Sequence, residues 1–311
     1  MSPTCPLCNK KSEAAFSAAD WNLGTSIEEF QYYRCSNCGA VFIYPVPEDL
    51  GKYYPSTYPA YEAESDLSVR NSDPLAYKKL EVILRYISGG RLLEIGPGSG
   101  GFLRVARDGG FKVEAAEMDQ DCCHFLRKSL NIPTVHSPDI IASIATLPSY
   151  DVIVLWHVIE HLPSPGIVLE NLSKHLNPGG ILILTAPNPS SLQFKFFGRY
   201  WVHLDAPRHL VLIPFLWLKS TASDINLDTI SLSTKDELCR PFGSFGWLMT
   251  SFSNVRKMIL KCDLKYLTLP WILRTLILIS LFKPAENIQG LGSTYTAVFR
   301  KRSEKCPITK Q

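Results

Sequence analysis

The feature of this 311-residue chain that most restricts its fold is an alternation of apolar strand-like and helix-like segments after residue 73. The strand-like runs include RLLEIG, KVEAAEMD, YDVIVLWHV and ILILTAP, and helical stretches such as GFLRVARDGG and SPGIVLENLSKHL separate them. Strands that alternate with helices build a mainly parallel sheet covered by helices on both faces. We therefore predict a doubly wound α/β domain over residues 73–301.

Residues 188–213 interrupt this alternation. The segment is aromatic, and it carries His203, Asp205, Arg208 and His209. It follows a predicted strand, at the edge of the sheet where α/β folds place ligands and the loops that cover them. We predict that it forms a lid.

A second interruption is an apolar helical segment at 254–283. Its core at 264–283, LKYLTLPWILRTLILISLFK, contains Pro270 and Arg274, so the uninterrupted apolar part is too short for a typical membrane span. We favour a C-terminal helical insertion buried on the protein or in a dimer interface. The alternative is peripheral membrane contact, because the flanking lysines and the tryptophan suit an interfacial helix.

Four of the nine cysteines are paired as C-x-x-C: Cys5 with Cys8, and Cys35 with Cys38. Two such turns can complete a tetrahedral four-thiolate zinc site, and four protein ligands leave no open position for catalysis. We predict a structural Zn²⁺ in a small zinc ribbon at 1–47. A Tyr- and Pro-rich linker or strap at 48–72 follows it, and residues 302–311 form a tail.

The composition limits the classes of binding partner that we expect. The net charge is only +3, with 20% charged residues, so we expect no nucleic-acid partner. The first residues, MSPTCPLCNK, contain no apolar signal segment, and we expect a cytoplasmic protein. The expected partner is a small-molecule or carrier-linked acceptor, and the oligomeric state stays open.

The loop LEIGPGSGG at 93–101 matches two cofactor patterns. Gly96, Gly98 and Gly101 satisfy the G-x-G-x-x-G dinucleotide fingerprint, whereas the same stretch also satisfies the E-x-G-x-G-x-G pattern of S-adenosylmethionine (SAM) enzymes. Glu94 favours SAM, because a carboxylate repels a pyrophosphate and attracts the cationic amino group of SAM. Glu117 ends the next strand, where it could bind ribose hydroxyls of either cofactor.

The chain resembles class I SAM-dependent methyltransferases over about residues 75–300. The motifs that carry the resemblance are LLEIGPGSGGFL, AAEMD, YDVIVLWHVIEHLPSP and LNPGGILILTAPNP. It implies a Rossmann-like sheet of seven strands with the last antiparallel. It also implies cofactor-binding roles for Glu94, Gly96, Pro97, Gly98 and Gly100 under the methionine part, Glu117 at the ribose, and Met118 and Asp139 at the adenine.

The cysteine pairs and HLDAPRHL resemble methyltransferases of sugar and surface-polysaccharide biosynthesis. The resemblance implies a sugar, nucleotide-sugar or polysaccharide precursor as the acceptor. A quinone- or polyketide-like phenol is the second hypothesis. A hypothesis of another class is an inactive zinc-ribbon binding module.

The segment WHVIEHL ends the predicted fourth strand and places His157, Glu160 and His161 near the transferred methyl group. A histidine could be the general base, the three could bind a divalent metal, or they could brace the loop. HVIEH resembles the E-x-x-E-H metal motif of ubiquinone-pathway and small-RNA methyltransferases, with His157 in place of the first Glu. We name His157, His161 and Glu160 as site residues, the histidines catalytic and the carboxylate substrate-binding.

The segment DAPRH holds the other candidates. Asp205 could orient His209 as a further catalytic residue, and Arg208 could hold an anionic group of the substrate, so we name Asp205 and Arg208 as substrate-binding residues. The alternative is a salt-bridged loop that docks the lid, with Arg208 paired to Asp205 or Glu160.

Overall fold

The structure is a computed structural model that describes residues 2–55, 58, 74–261, 277 and 280–303. Its strands are β1 Glu13–Ala18, β2 Phe30–Arg34, β3 Val41–Ile43, β4 Gly90–Ile95, β5 Phe111–Glu117, β6 Thr134–His136, β7 Tyr150–Trp156, β8 Leu176–Pro187, β9 Val211–Leu212, β10 Leu227–Ser233 and β11 Thr294–Lys301. Its α-helices are α1 Pro74–Leu84, α2 Gly101–Asp108, α3 Gln120–Lys128, α4 Ile140–Ile144, α5 Pro165–Lys174, α6 Leu192–Phe197, α7 Phe215–Asp224 and α8 Arg240–Lys261.

Seven strands form one sheet in the order β10-β11-β8-β7-β4-β5-β6. The strands from β8 through β6 run parallel to their neighbours, and β11 is antiparallel to both β8 and β10. This arrangement confirms the predicted Rossmann-like fold with an antiparallel last strand.

The central strands are apolar along their length because helices cover both faces of the sheet. In β7, Ile153 and Leu155 belong to the hydrophobic core on one face, and Val152 and Val154 to the core on the other. All four side chains are fully buried. Successive residues of a strand point to opposite faces, so an unbroken apolar run can fill two cores at once.

The N-terminal residues form a second, antiparallel sheet in the order β1-β2-β3-β9. Its last strand comes from the segment 188–213, where Phe42 of β3 pairs with Val211 of β9. Buried residues of this sheet, such as Tyr32 and Phe42, belong to the same hydrophobic core as one face of the large sheet. The predicted zinc ribbon therefore buries its apolar side chains against the α/β domain and the lid segment.

Arg208 ties these parts together inside the protein. All five of its N–H donors are used: they bond the carboxylates of Asp20 and Asp205 and the carbonyl oxygen of Tyr53. The Arg208 side chain is fully buried. The structure therefore agrees with the salt-bridged loop. Arg208 and Asp205 were predicted to bind the substrate, but Arg208 has no N–H donor left for one, and both oxygens of Asp205 accept from Arg208.

The apolar segment at 254–283 falls mostly outside the described residues. A helical turn at 280–286 is described, and the ring of Phe282 in it stacks on Trp247 of α8 at 5.6 Å. Among the described helices, none combines the length and apolar character needed to cross a membrane. Membrane contact through 264–283 stays a prediction.

We predict that Asp20→Ala strongly destabilises the protein. The substitution removes one of the two carboxylates that compensate the buried charge of Arg208, and breaking a buried pair costs about 3–5 kcal/mol. The free energy of unfolding at pH 7, measured by urea denaturation, should fall accordingly. Asp228→Ala, which breaks the exposed pair with Arg302, is the control and should have a much smaller effect.

We also predict how the stability loss in Asp20→Ala depends on pH. Burial alone would raise the pKa of Asp20, but hydrogen bonds from Arg208 hold it well below its usual range. The stabilisation is therefore complete at neutral pH and is lost as the pH falls below about 4. The stability difference between wild type and Asp20→Ala should shrink in that range; a constant difference would contradict the ion-pair explanation.

Candidate functional site

The candidate site lies at the carboxyl edge of the parallel strands. The glycine loop follows β4, Glu117 ends β5, the segment HVIEH follows β7, and the lid segment follows β8. Parallel strands bring these four connections to one edge, which is where open α/β sheets bind ligands. Sequence-distant residues therefore meet here.

The glycine loop has the geometry of the E-x-G-x-G-x-G pattern. Gly96, Gly98 and Gly100 have positive φ angles of 64°, 55° and 74°. A Cβ at Gly96 would lie 2.8 Å from Val158, and one at Gly100 would overlap Leu126. Gly101, the third glycine of the dinucleotide pattern, has open space around its Cα and no positive φ. In dinucleotide folds that glycine is needed for close helix packing, so the loop fits the SAM pattern better.

Glu94 is a buried acceptor beside this loop. Its side chain is 3% exposed, and its Oε2 has no hydrogen-bond partner among the described residues. Burial raises the pKa of Glu94 to about 8, with Glu117 adding to the shift and Lys79 opposing it. A cationic ligand group would supply the missing partner and restore the charged form. Glu94 therefore fits the amino group of SAM, as predicted.

Glu117 holds the loop itself. One carboxylate oxygen accepts from the N–H of Gly98 and the other from the N–H of Asp119, both at 2.9 Å. Each oxygen keeps a further lone pair, and the ribose role stays a prediction. Met118 is 54% exposed at the edge, as a residue against an adenine would be.

Two other predicted cofactor residues have local contacts. The carbonyl of Pro97 accepts from the N–H of Gly100, which closes the glycine turn. Asp139 is exposed and caps α4, and its Oδ1 accepts from the N–H groups of Ile141 and Ala142. One oxygen of Asp139 is thus committed to the helix, and its contact with an adenine amine stays a prediction.

His157 takes a strained conformation directly after β7. Its φ is +56°, a region that non-glycine residues rarely adopt. The ring packs on Phe242 with centroids 4.4 Å apart, and Nδ1 lies 3.3 Å from Oε1 of Glu160. Burial lowers the pKa of His157 to about 3, so the ring is neutral at physiological pH.

His161 and His209 form the second part of the cluster, with ring centroids 4.6 Å apart. Nδ1 of His209 lies 2.8 Å from the carbonyl oxygen of His203, and Nδ1 of His161 lies 3.1 Å from that of Arg208. A carbonyl oxygen only accepts, so the contact of His209 puts its proton on Nδ1 and leaves a lone pair on Nε2. Nδ1 of His161 also faces the hydroxyl of Tyr54 at 2.9 Å, and a hydroxyl can donate or accept. Burial lowers the pKa of both rings, that of His161 to about 4.

Glu160 is the centre of this cluster. It is completely buried, and neither carboxylate oxygen has a hydrogen-bond partner among the described residues. Burial raises its pKa, while His209 and His161 oppose the shift. Ligand atoms of Glu160, His161 and His209 all lie within 4.8 Å of one another and could hold a metal ion. The predicted metal set was His157, Glu160 and His161; the structure groups His209 with the last two instead.

Three residues of the site were not predicted. The hydroxyl of Tyr54 lies 2.9 Å from Nδ1 of His161, Phe242 covers His157, and Asp20 holds Arg208. Tyr54 stands in the aromatic strap, whose composition was a signal. Asp20 and Phe242 approach the site through long-range packing, and the sequence has no local pattern that marks them.

The four paired cysteines also meet as predicted. Cys5 Sγ is 3.6 Å from Cys38 Sγ, and Cys8 Sγ is 3.5 Å from Cys35 Sγ. Tetrahedral thiolates at zinc-ligand distance would lie about 3.8 Å apart. The four sulfur atoms lie within 4.8 Å of one another, so the cluster fits a zinc ion.

Comparisons with known proteins agree with this geometry. A family model described as a methyltransferase domain matches residues 72–250. The ubiquinone biosynthesis O-methyltransferase of Leptothrix cholodnii is 22% identical over 172 residues, which are 50% of this chain and 70% of that protein. A solved SAM-dependent methyltransferase from Archaeoglobus fulgidus has a TM-score of 0.50 at 18% identity, with 75% of this chain and 94% of that chain covered. At this identity the solved structure supports the fold alone, and the family match supports SAM as the cofactor.

We predict that Gly98→Asp abolishes SAM binding. The substitution forces a side chain onto a positive φ and places a carboxylate next to Glu117. Calorimetric titration with SAM should show no heat. Gly101→Ala is the matched control in the same loop, where a Cβ meets nothing within 4 Å, and it should bind SAM normally. Equal affinities of both variants and wild type would overturn this placement of the cofactor.

We predict that Cys35→Ser loses the zinc ion, since a thiolate ligand is missing. Zinc per chain, measured by atomic absorption, should fall to near zero. SAM affinity should persist because the glycine loop belongs to the other sheet. Cys122→Ser, at a buried cysteine outside the cluster, should keep its zinc. Unchanged zinc in Cys35→Ser would remove Cys35 from the ligands.

Proposed function

Because the chain belongs to the family of this methyltransferase-domain model, we propose that it transfers a methyl group from SAM to a hydroxyl of a small or carrier-linked acceptor. The leading acceptor is a sugar, a nucleotide-sugar or a polysaccharide precursor. A structural zinc ion at the four cysteines completes the proposal. The observation that carries it is the buried Glu160 carboxylate among His157, His161 and His209, beside the glycine loop.

A hydroxyl must lose its proton as it attacks the methyl group. SAM, when bound, would supply this methyl group on its positively charged sulfur. The neutral rings of His209 and His161 are the candidate proton acceptors. Nδ1 of His209 is held by the carbonyl of His203, so its Nε2 has the lone pair. Nε2 of His209 lies 3.9 Å from Oε1 of Glu160, beyond hydrogen-bond distance. Glu160 is close enough to stabilise the charge that the ring gains.

One observation supports the hypothesis of a phenolic acceptor. The curated relative is an O-methyltransferase of ubiquinone biosynthesis, and it matches half of this chain. Both acceptor classes present a hydroxyl, so the same histidine base serves either. The metal hypothesis also keeps a support, since Glu160, His161 and His209 are close enough to share an ion.

We expect purified protein to add one methyl group to an acceptor in a mass-spectrometric screen of nucleotide-sugars, sugar phosphates and phenols with SAM. An absence of SAM binding would instead support the inactive zinc-ribbon module. SAM binding without a methylated product in any of these classes would contradict the proposed acceptors.

We predict that His209→Ala lowers kcat by about 100-fold or more, as loss of a general base does, while the Kd for SAM stays unchanged. His124→Ala, at an exposed histidine of α3, is the matched control and should keep full activity. Wild-type turnover in His209→Ala would remove it from the site. Activity that survives EDTA, with zinc content unchanged, would favour the base over the metal.

A further inference from the structure

A cavity of about 190 Å³ lies at the start of α8 and has no part in the chemistry above. It opens between the start of α8, the end of β10 and the residues that lead into β11. The residues that matter here are Thr234, Lys235, Arg240, Gly243, Lys283 and Ser293, which all line it. Its volume gives room for at least about six water-sized groups, more than a single phosphate needs.

The cavity adjoins the proposed active site through one aromatic residue. Phe242 stands in the chain between Arg240 and Gly243, and its ring packs on His157 at 4.4 Å. On the other side, the carbonyl of Ser293 accepts from the N–H of Asn188, which directly follows β8 at the active edge of the sheet. The cavity and the histidine cluster are thus linked through residues that neighbour each other in the chain, Phe242 beside Gly243 and Asn188 bonded to Ser293.

The residues that line the cavity include more cationic than anionic side chains. Lys235, Arg240 and Lys283 line the cavity, and all three side chains are exposed enough to turn into it. Glu286 is the one carboxylate among its lining residues, and Nε2 of Gln193 donates to it at 2.6 Å. Burial raises the pKa of Glu286, while the hydrogen bond from Gln193 and the charge of Lys283 oppose the shift.

Two further carboxylates lie near the start of α8 but are not among the residues that line the cavity. Asp236 accepts from the N–H groups of Leu238 and Cys239. Glu237 is ion-paired with Arg85 on the surface. The lining therefore sets three cations against one carboxylate, that of Glu286.

A buried hydroxyl in the wall also needs a partner. Ser293 is 1% exposed, and its Oγ has no hydrogen-bond partner among the described residues. Buried polar groups are nearly always hydrogen-bonded, and an unpaired one points to a ligand or water. A phosphate oxygen would accept from this hydroxyl while the cations neutralise its charge.

We propose that this cavity binds the phosphate or diphosphate group of the acceptor, which makes the acceptor a phosphorylated or nucleotide-linked molecule. The identification of the bound molecule as the acceptor rests on the proposed function. The binding of phosphate in the cavity is independent of it. It also moves the recognition of an anionic group from Arg208, whose donors are all used internally, to Arg240 and its neighbours.

The test is calorimetric titration of the full chain with inorganic pyrophosphate, without SAM. We expect binding that weakens at least tenfold in Arg240→Gln and in Lys283→Gln, and several-fold in Ser293→Ala. The matched control is Lys112→Gln, at an exposed lysine on the amino edge of the sheet, which should bind as wild type does. Melting temperatures verify that each variant is folded.

Three results would overturn the proposal. They are equal pyrophosphate affinity in wild type and both charge variants, equal weakening in Lys112→Gln, and equally tight binding of citrate at the same residues. Because no methyl transfer is measured, failure of the proposed reaction would leave this result standing. Once an acceptor is found, Arg240→Gln should raise its KM with little change in kcat; an unchanged KM would refute the link to the acceptor.

Discussion

Arg208 carries its charge in the protein interior, and the carboxylates of Asp20 and Asp205 hold it there at 2.8 and 2.7 Å. Asp20 follows β1 in the N-terminal sheet, whereas Asp205 belongs to the lid segment. One guanidinium thus fastens the cysteine unit to the chain that carries His209. Removing either carboxylate leaves a charge that the interior cannot solvate, so the docking of the two sheets depends on this contact.

The N-terminal unit is consequently part of the catalytic architecture. β9 joins its sheet immediately after His209, and the hydroxyl of Tyr32 donates to the carbonyl of His209 at 3.4 Å. The strap that leaves the unit brings Tyr54 to His161. A structural zinc ion in this unit would therefore stabilise the position of two histidines, although the ion itself has no open coordination position.

Buried carboxylates define both halves of the candidate site. Glu94 lies beside the cofactor loop and Glu160 lies among the histidines, and each has a raised pKa because of its burial. Neither has its full set of hydrogen bonds within the described protein. Folding alone does not favour such groups, and perturbed carboxyl groups in a cleft are typical of functional sites. They agree with a site that receives a cationic cofactor and moves a proton.

The sequence by itself determined the doubly wound α/β fold, the cofactor loop and the pairing of the four cysteines, whereas the count of seven strands was implied by the family resemblance. These depend on local periodicity and short spacings, such as the apolar run of β7 and the two C-x-x-C turns, which a linear pattern records. Only the tertiary structure decided the partners of Arg208, the grouping of His209 with Glu160 and His161, and the cavity at Arg240. Their contacts join residues up to 188 positions apart, as in Arg208 with Asp20, and such distances are set by how sheets and loops pack. A charged residue in a sequence motif looks the same whether it binds a substrate or a buried partner. Only its burial and contacts in the folded protein distinguish the two roles.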